Sequence, residues 1–280
     1  MTWSASFIDD AQARWAIDRP RDSRWHAYAA TLEGNLFLGC LHPATEKEFL
    51  QGDGSELSNT QTRPAKMRAL VSSSALAVNF FDAWRDIDKR ALSEALGFSS
   101  PITRLRFEYK PDAYPVKPRS PNLDLLLSLA DGSCVAVESK FSEPYRSADG
   151  FSAMSVRYFP AYRSLWDHAH LRAAQRVAER MRPEWLHLDV PQLLKHLLAL
   201  ACDPMRPGTL LYLWFDTGKP DADAHRREIE RFAEEIASDS IAFRFCSYQE
   251  VFRSIDCIAA SVADWRSFMA ERYFGRPSTF

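Results

Sequence analysis

The chain has 280 residues, 46% of them hydrophobic and 26% charged, with a formal net charge of −2. This is the composition of a globular protein with a full core, and its near-balance of charge excludes a strong global field that would draw in nucleic acid. No run approaches the roughly 18 apolar residues of a membrane helix, and MTWSASFIDDAQARW lacks a basic flank before an apolar run, so neither a membrane span nor a secretory signal is expected and the expected location is the cytoplasm.

In chain order, AQARWAIDRPRDSRWHAYAATLEGNLF predicts a helix broken near Pro20. GCLHPATEKEFLQGDGSELSNTQTRP is polar and rich in turn formers, with a short helix expected near Ala44 to Leu50. SSSALAVNFFDAWRDIDKRALSEALGF places Leu76, Phe80, Phe81, Trp84, Ile87, Leu92 and Leu96 at helical spacing between a serine cap and Gly97. TRLRFEYK alternates Leu105, Phe107 and Tyr109 with charged residues, the period of a strand. PDAYPVKPRSP is a proline-rich loop, and NLDLLLSLADGSCVAVESKF reads as two strands joined by a tight turn. A loop over 146–159 and a helix around Leu165 to Met181 are expected next. Asp189 and Pro191 then supply a cap and a first-turn proline for the helix QLLKHLLALAC. GTLLYLWFD is a short apolar run suited to a central strand, DADAHRREIERFAEEIA is an amphipathic helix, SIAFRFCSY is a short strand, and the end is helical. Three consecutive strands, a helix and a returning strand predict an α/β fold with a mixed sheet flanked by helices.

The hairpin holds three ionisable residues among leucines and valines: Asp124, Glu138 and Lys140. Residues two apart on a strand share a face, so Glu138 and Lys140 point one way and Ser139 the other. Where Asp124 points depends on the turn. A two-residue Asp131-Gly132 turn sets Asp124 opposite Ser139, on the wrong face. A three-residue loop Asp131–Ser133 sets it opposite Lys140 and diagonal to Glu138. A one-residue slip moves every side chain to the other face, so the condition is sharp. If it is met, two carboxylates and an ammonium converge. A divalent cation relieves the repulsion, and Mg²⁺ suits one or two carboxylates with waters and substrate phosphate oxygens. The same letters read structurally as a salt bridge on an edge strand and a strand-start cap.

Other chemistries lack their signatures. Cys40, Cys134, Cys202, Cys246 and Cys257 are scattered without a C-x-x-C pair, so neither a zinc knuckle nor a disulfide framework is expected. There is no phosphate-binding G-x-x-x-x-G-K-[ST] and no G-x-S-x-G. His168 and His170 are two apart, which on a helix points them away from one another. Tyr158, Tyr162, Trp166 and Trp185 are read as core residues rather than base-stacking platforms. Between Pro101 and Arg182 thirteen Lys or Arg face nine Asp or Glu, a local surplus that permits a polyanionic ligand.

Pro121-Asn122-Leu123-Asp124 and Glu138-Ser139-Lys140 resemble the motif of the PD-(D/E)xK nuclease superfamily, with the proline displaced from the aspartate. The succession from Ser72 to Phe215 resembles its αβββαβ core. SSSALAVNFF, RFEY, ESKFSEPY, QLLKHLL and LLYLWFD resemble a group of bacterial restriction-endonuclease-like proteins. The resemblance implies an N-terminal elaboration over 1–64 and a nuclease domain over 65–280, with its core at about 70–216. It implies Mg²⁺-dependent (or Mn²⁺-dependent) hydrolysis of a nucleic-acid backbone, chiefly DNA. Asp124, Glu138 and the backbone carbonyl of Ser139 would ligate metal, and Lys140 would position water. Glu108 would be a further candidate ligand, Glu143 a candidate for a second ion, and Gln192 a helper touching phosphate or water. Double-strand cutters of this kind commonly act as homodimers. The alternative expectation is a catalytically silent module of the same fold that binds nucleic acid or a protein partner.

Overall fold

The computed structural model of the protein describes residues 3–52, 55–111, 121–146, 154, 158, 166–167, 170–180, 185–205, 207–255 and 262–275. The expected loops over 112–120 and most of 146–159 lie outside these residues, as do Tyr162, His168 and Cys257.

Four helices lead into the sheet: α1 (Ser4–Trp15), α2 (Pro43–Gln51), α3 (Ser73–Phe81) and α4 (Arg90–Ala95). The strands are β1 (Ile102–Tyr109), β2 (Leu123–Leu129), β3 (Cys134–Lys140), β4 (Thr209–Trp214) and β5 (Ala242–Ser247). Between β3 and β4 come α5 (Arg172–Arg180) and α6 (Val190–Cys202). The helix α7 (Pro220–Ile236) joins β4 to β5, and α8 (Tyr248–Ser254) and α9 (Ala263–Met269) follow, with a π-helical turn over Ala270–Phe274 after α9. The sheet order is β1-β2-β3-β4-β5. The first two pairings are antiparallel and the last two parallel. This is the mixed sheet flanked by helices of a restriction-endonuclease-like α/β fold. Among the described residues no helix is long and apolar enough to cross a membrane.

Strand alternation sorts the core into two layers. Leu125, Leu127, Val135, Val137, Leu211 and Leu213 face α3, α8 and α9, meeting Phe80, Phe81, Val251 and Trp265. Leu126, Ala136, Leu210, Tyr212 and Trp214 face the other way, toward Val177 of α5, Leu193 and Leu197 of α6, and Ile229 and Phe232 of α7. A strand covered on both faces reads as a continuous apolar run, which is why LLYLW looks unpatterned in the sequence. The N-terminal segment joins the first layer through Ile8, Leu36 and Phe49.

Three expectations move. The N-terminal helix begins at Ser4 and ends at Trp15, ahead of Pro20. The single helix expected over 73–96 starts at its Ser72 cap, whose hydroxyl accepts from Ala75 N–H, but tightens after Phe81 into a 3-10 turn over Asp82–Trp84 and breaks beyond Arg85. Lys89 Nζ donates to the Arg85 and Ile87 carbonyls there, and Asp88 accepts from Arg90 N–H to restart the helix as α4. These side chains give the backbone partners other than the next helical turn. Gly97 follows at φ 70°, the left-handed stop expected of it. The helix expected from Leu165 is described as α5 only from Arg172.

Candidate active site

The geometry begins at the β2–β3 turn. Leu129 N–H donates to the Ser133 carbonyl, and the ladder pairs Ser128 with Cys134 through Leu125 with Val137. The loop is therefore Ala130-Asp131-Gly132, three residues long but set one position earlier than Asp131–Ser133. Asp131 selects it by accepting from both Ser133 N–H (2.9 Å) and Ser133 Oγ (2.6 Å), with Gly132 at φ 85°. Continued by one pair, the ladder sets Asp124 opposite Glu138. This corrects the expected pairing with Lys140. The shift is by two residues, so it preserves the face: Asp124, Glu138 and Lys140 lie on the same side of the sheet.

At that end the ladder gives way to side chains. Ser139 N–H donates to Asp124 Oδ2 at 2.7 Å. In an extended strand a residue's C=O points to the same side as its N–H, so the Ser139 carbonyl is directed toward the β2 side as well. The Ser139 hydroxyl points through the opposite face to Tyr248 Oη at 2.7 Å.

Lys140 Nζ donates to Glu138 Oε1 at 2.5 Å and to Gln192 Oε1 at 2.9 Å. Gln192 is held in the first turn of α6, where its N–H donates to the capping Asp189 Oδ1 at 3.0 Å. The structure thus brings Gln192 to the lysine. Glu138 is 1% exposed. Its other oxygen, Oε2, has no hydrogen-bond partner and lies 3.3 Å from Nδ1 of His196, equally buried and also unpartnered. The sequence places His196 one turn beyond Gln192 without giving it a role, although a residue four further on a helix shares its face.

Burial sets the electrostatics. It pushes the Asp124 carboxyl well above the usual aspartate range, and the Glu138 charge adds to the push. It raises Glu138 as well, against the pull of Lys140. Burial alone would lower Lys140, yet the charges of Glu138, Asp124 and Glu143 together hold its ammonium above the ordinary lysine value. Burial and then the Lys140 charge lower His196 to about 3, so its imidazole is neutral.

The two outlying acids sit differently. Glu108 falls opposite Asp124 in the β1–β2 register, between Phe107↔Leu125 and Tyr109↔Leu123. Its φ of 49° departs from the strand conformation, a strain typical of functional sites. Its carboxylate accepts from Asn122 Nδ2 at 3.2 Å, and a Cβ on Gly52 would lie 2.9 Å from it. Burial, then the Asp124 charge, raises Glu108 to about 7. Glu143 is exposed, and its Oε2 accepts from Phe141 N–H at 2.9 Å.

Among the described residues no group of three or more His, Cys, Asp or Glu side chains is arranged to hold one ion. Two carboxylates on neighbouring strands, with a backbone carbonyl of β3 directed toward β2, are hard oxygen donors. They fit a cation such as Mg²⁺ that binds one or two carboxylates and keeps several waters. Asp124, Glu138 and the Ser139 carbonyl are the groups that could hold it.

Comparison with curated proteins gave no match, and neither did comparison with solved structures. A family model described as restriction endonuclease associating with ARP matches residues 17–274, nearly the whole chain and all five strands. The chain belongs to that restriction-endonuclease-like family.

Proposed function

We propose that the protein is a divalent-metal-dependent nuclease that hydrolyses phosphodiester bonds in DNA. The observation that carries this reading is the convergence of Asp124, Glu138 and Lys140 on one face of β2 and β3, with Gln192 holding the lysine. Asp124 and Glu138, with the Ser139 carbonyl, would hold Mg²⁺ or Mn²⁺. The bound ion would supply a water of lowered pKa and polarise the phosphate. Lys140 has three N–H donors and uses two on Glu138 and Gln192, which leaves one for the attacking water or a phosphate oxygen. Its charge is set where negative charge grows on the phosphate during in-line attack. Gln192 acts by orienting Lys140.

The test is incubation with supercoiled plasmid, with Mg²⁺ and with EDTA, beside Glu138→Ala and Lys140→Ala. Nicking or linearisation that needs the metal and is lost in both variants supports the reading, provided circular dichroism shows the variants folded. Full activity in either variant removes that residue from the site. A second reading is favoured by the family's description, which names association with ARP: a silent module whose job is to dock a protein partner. It predicts DNA or partner binding indifferent to EDTA and no cleavage by the native protein.

A further inference from the structure

The buried confrontation between Glu138 and α6 is not absorbed by this mechanism. Glu138 Oε2 and His196 Nδ1 lie 3.3 Å apart, close enough for a hydrogen bond but not aligned as one, and neither atom has another partner. Both residues are 1% exposed, so bulk water does not satisfy them. A bare imidazole lone pair facing a carboxylate oxygen at this distance is repulsive. A proton on Nδ1 makes the same contact attractive after a small rotation of either side chain. Gln192 and His196 stand four apart on α6, so one helix face meets both members of the Glu-x-Lys pair: Gln192 takes the ammonium and His196 faces the carboxylate.

We propose that His196 is the positioning residue for Glu138, with its Nδ1–H donating to Oε2 and fixing the carboxylate for the metal. The proposal rests on the nuclease reading only for the metal; the hydrogen bond stands by itself. An oxygen of a carboxylate has two lone pairs, so a bond from His196 leaves Oε2 able to bind a cation. With Lys140 on Oε1 and His196 on Oε2, the carboxylate plane is held at both oxygens, and a buried ligand cannot swing to a different geometry when an ion enters. Outer-shell partners of this kind typically contribute 10–100-fold to metal affinity.

Two measurements decide it. Long-range ¹⁵N–¹H correlation of the histidine rings in the metal-free full-length protein reports which nitrogen carries the proton. Protonated Nδ1 of His196 is expected, and a bare Nδ1 overturns the proposal whatever the protein's activity. Calorimetric titration with Mn²⁺ then compares native protein, His196→Leu, His196→Asn and Glu138→Ala. Leucine should weaken Mn²⁺ by about 10–100-fold. Asparagine, whose amide nitrogen reaches the place of Nδ1, should restore most of that loss, which a merely structural role would not do. Leucine binding as tightly as histidine overturns the proposal, and so does asparagine behaving like leucine. If native protein and Glu138→Ala bind Mn²⁺ equally, the metal reading of Glu138 fails, and the ring spectrum alone still upholds or overturns the hydrogen bond.

Discussion

The β2–β3 hairpin carries an aspartate near each end, and their surroundings push them in opposite directions. Asp131, in the turn, is exposed, and its bonds from Ser133 hold its carboxyl below the ordinary aspartate value. Asp124, about one strand length away, is pushed well above it by burial and by the Glu138 charge, although it also accepts a backbone N–H. The residue type is the same and the backbone bond is of the same kind. What differs is the removal of water and the sign of the nearest charge. The turn end uses its aspartate to choose a register, and that register delivers the other aspartate to a place where it is costly to keep. A half-buried acid beside a buried one is tolerated where a cation or a proton is to be received.

The largest expected break in this comparison is Asp124→Asn. Removing the charge relieves the repulsion in the metal-free protein, so its stability should rise by about 1 kcal/mol. Metal-dependent plasmid cleavage should fall by more than about 100-fold, beyond the range of outer-shell changes. Thermal melting in EDTA beside a cleavage assay checks both. An unchanged or lowered melting point means that Asp124 is not strained by its neighbours.

The same contrast between dry and wet sites should appear in the pH dependence of stability. His225 is fully buried between Trp214 and Tyr212, with Nε2 3.0 Å from the Tyr212 hydroxyl. Burial, with the nearby His187, Lys140 and Arg226, lowers it well below the ordinary histidine value. In the unfolded chain it titrates near pH 6.5, so below that pH the unfolded state binds a proton that the folded state refuses. Stability is therefore lost as pH falls through about 6.5, with a slope of up to about 1.4 kcal/mol per pH unit for this one group. Urea unfolding at pH 7, 6 and 5 measures the slope, to which the neutral His196 contributes in the same sense, and His225→Phe should flatten it by that amount. An unchanged slope assigns the titration to other groups.

The smallest effect on cleavage is expected at the turn. Gly132 sits at φ 85° with open space where a Cβ would go, so Gly132→Ala meets no clash. It pays only the left-handed backbone cost of about 1–2 kcal/mol. Cleavage per folded molecule should match the native protein well below the melting temperature. A large activity loss would show that the turn controls the site more tightly than the ladder between them suggests.

Much of the fold was legible because the chain's patterns are local. Alternation marked β1, an apolar run ending in Glu-Ser-Lys marked β3, an unbroken apolar run marked β4, and Asp189 with Pro191 marked the start of α6. The break between α3 and α4 was not legible. Apolar spacing continues across it, and the interruption is made by lysine and aspartate side chains bonding to nearby backbone. Gln192 was singled out by the family resemblance, but its partner, Lys140, is 52 residues away in the chain. His196 could have been found by the same spacing rule, yet nothing local distinguishes a site histidine from a packed one.

By itself, the sequence determined which residues share a face of β3, because strand parity is a property of the backbone: Glu138 and Lys140 point together whatever surrounds them. It also determined that a tight turn would form at Asp131-Gly132. Only the tertiary structure decided that Asp124 stands opposite Glu138 and that α6 brings Gln192 and His196 onto that pair. Register and helix docking depend on contacts between distant segments and on which charges lose their water, and no short stretch of sequence carries that information.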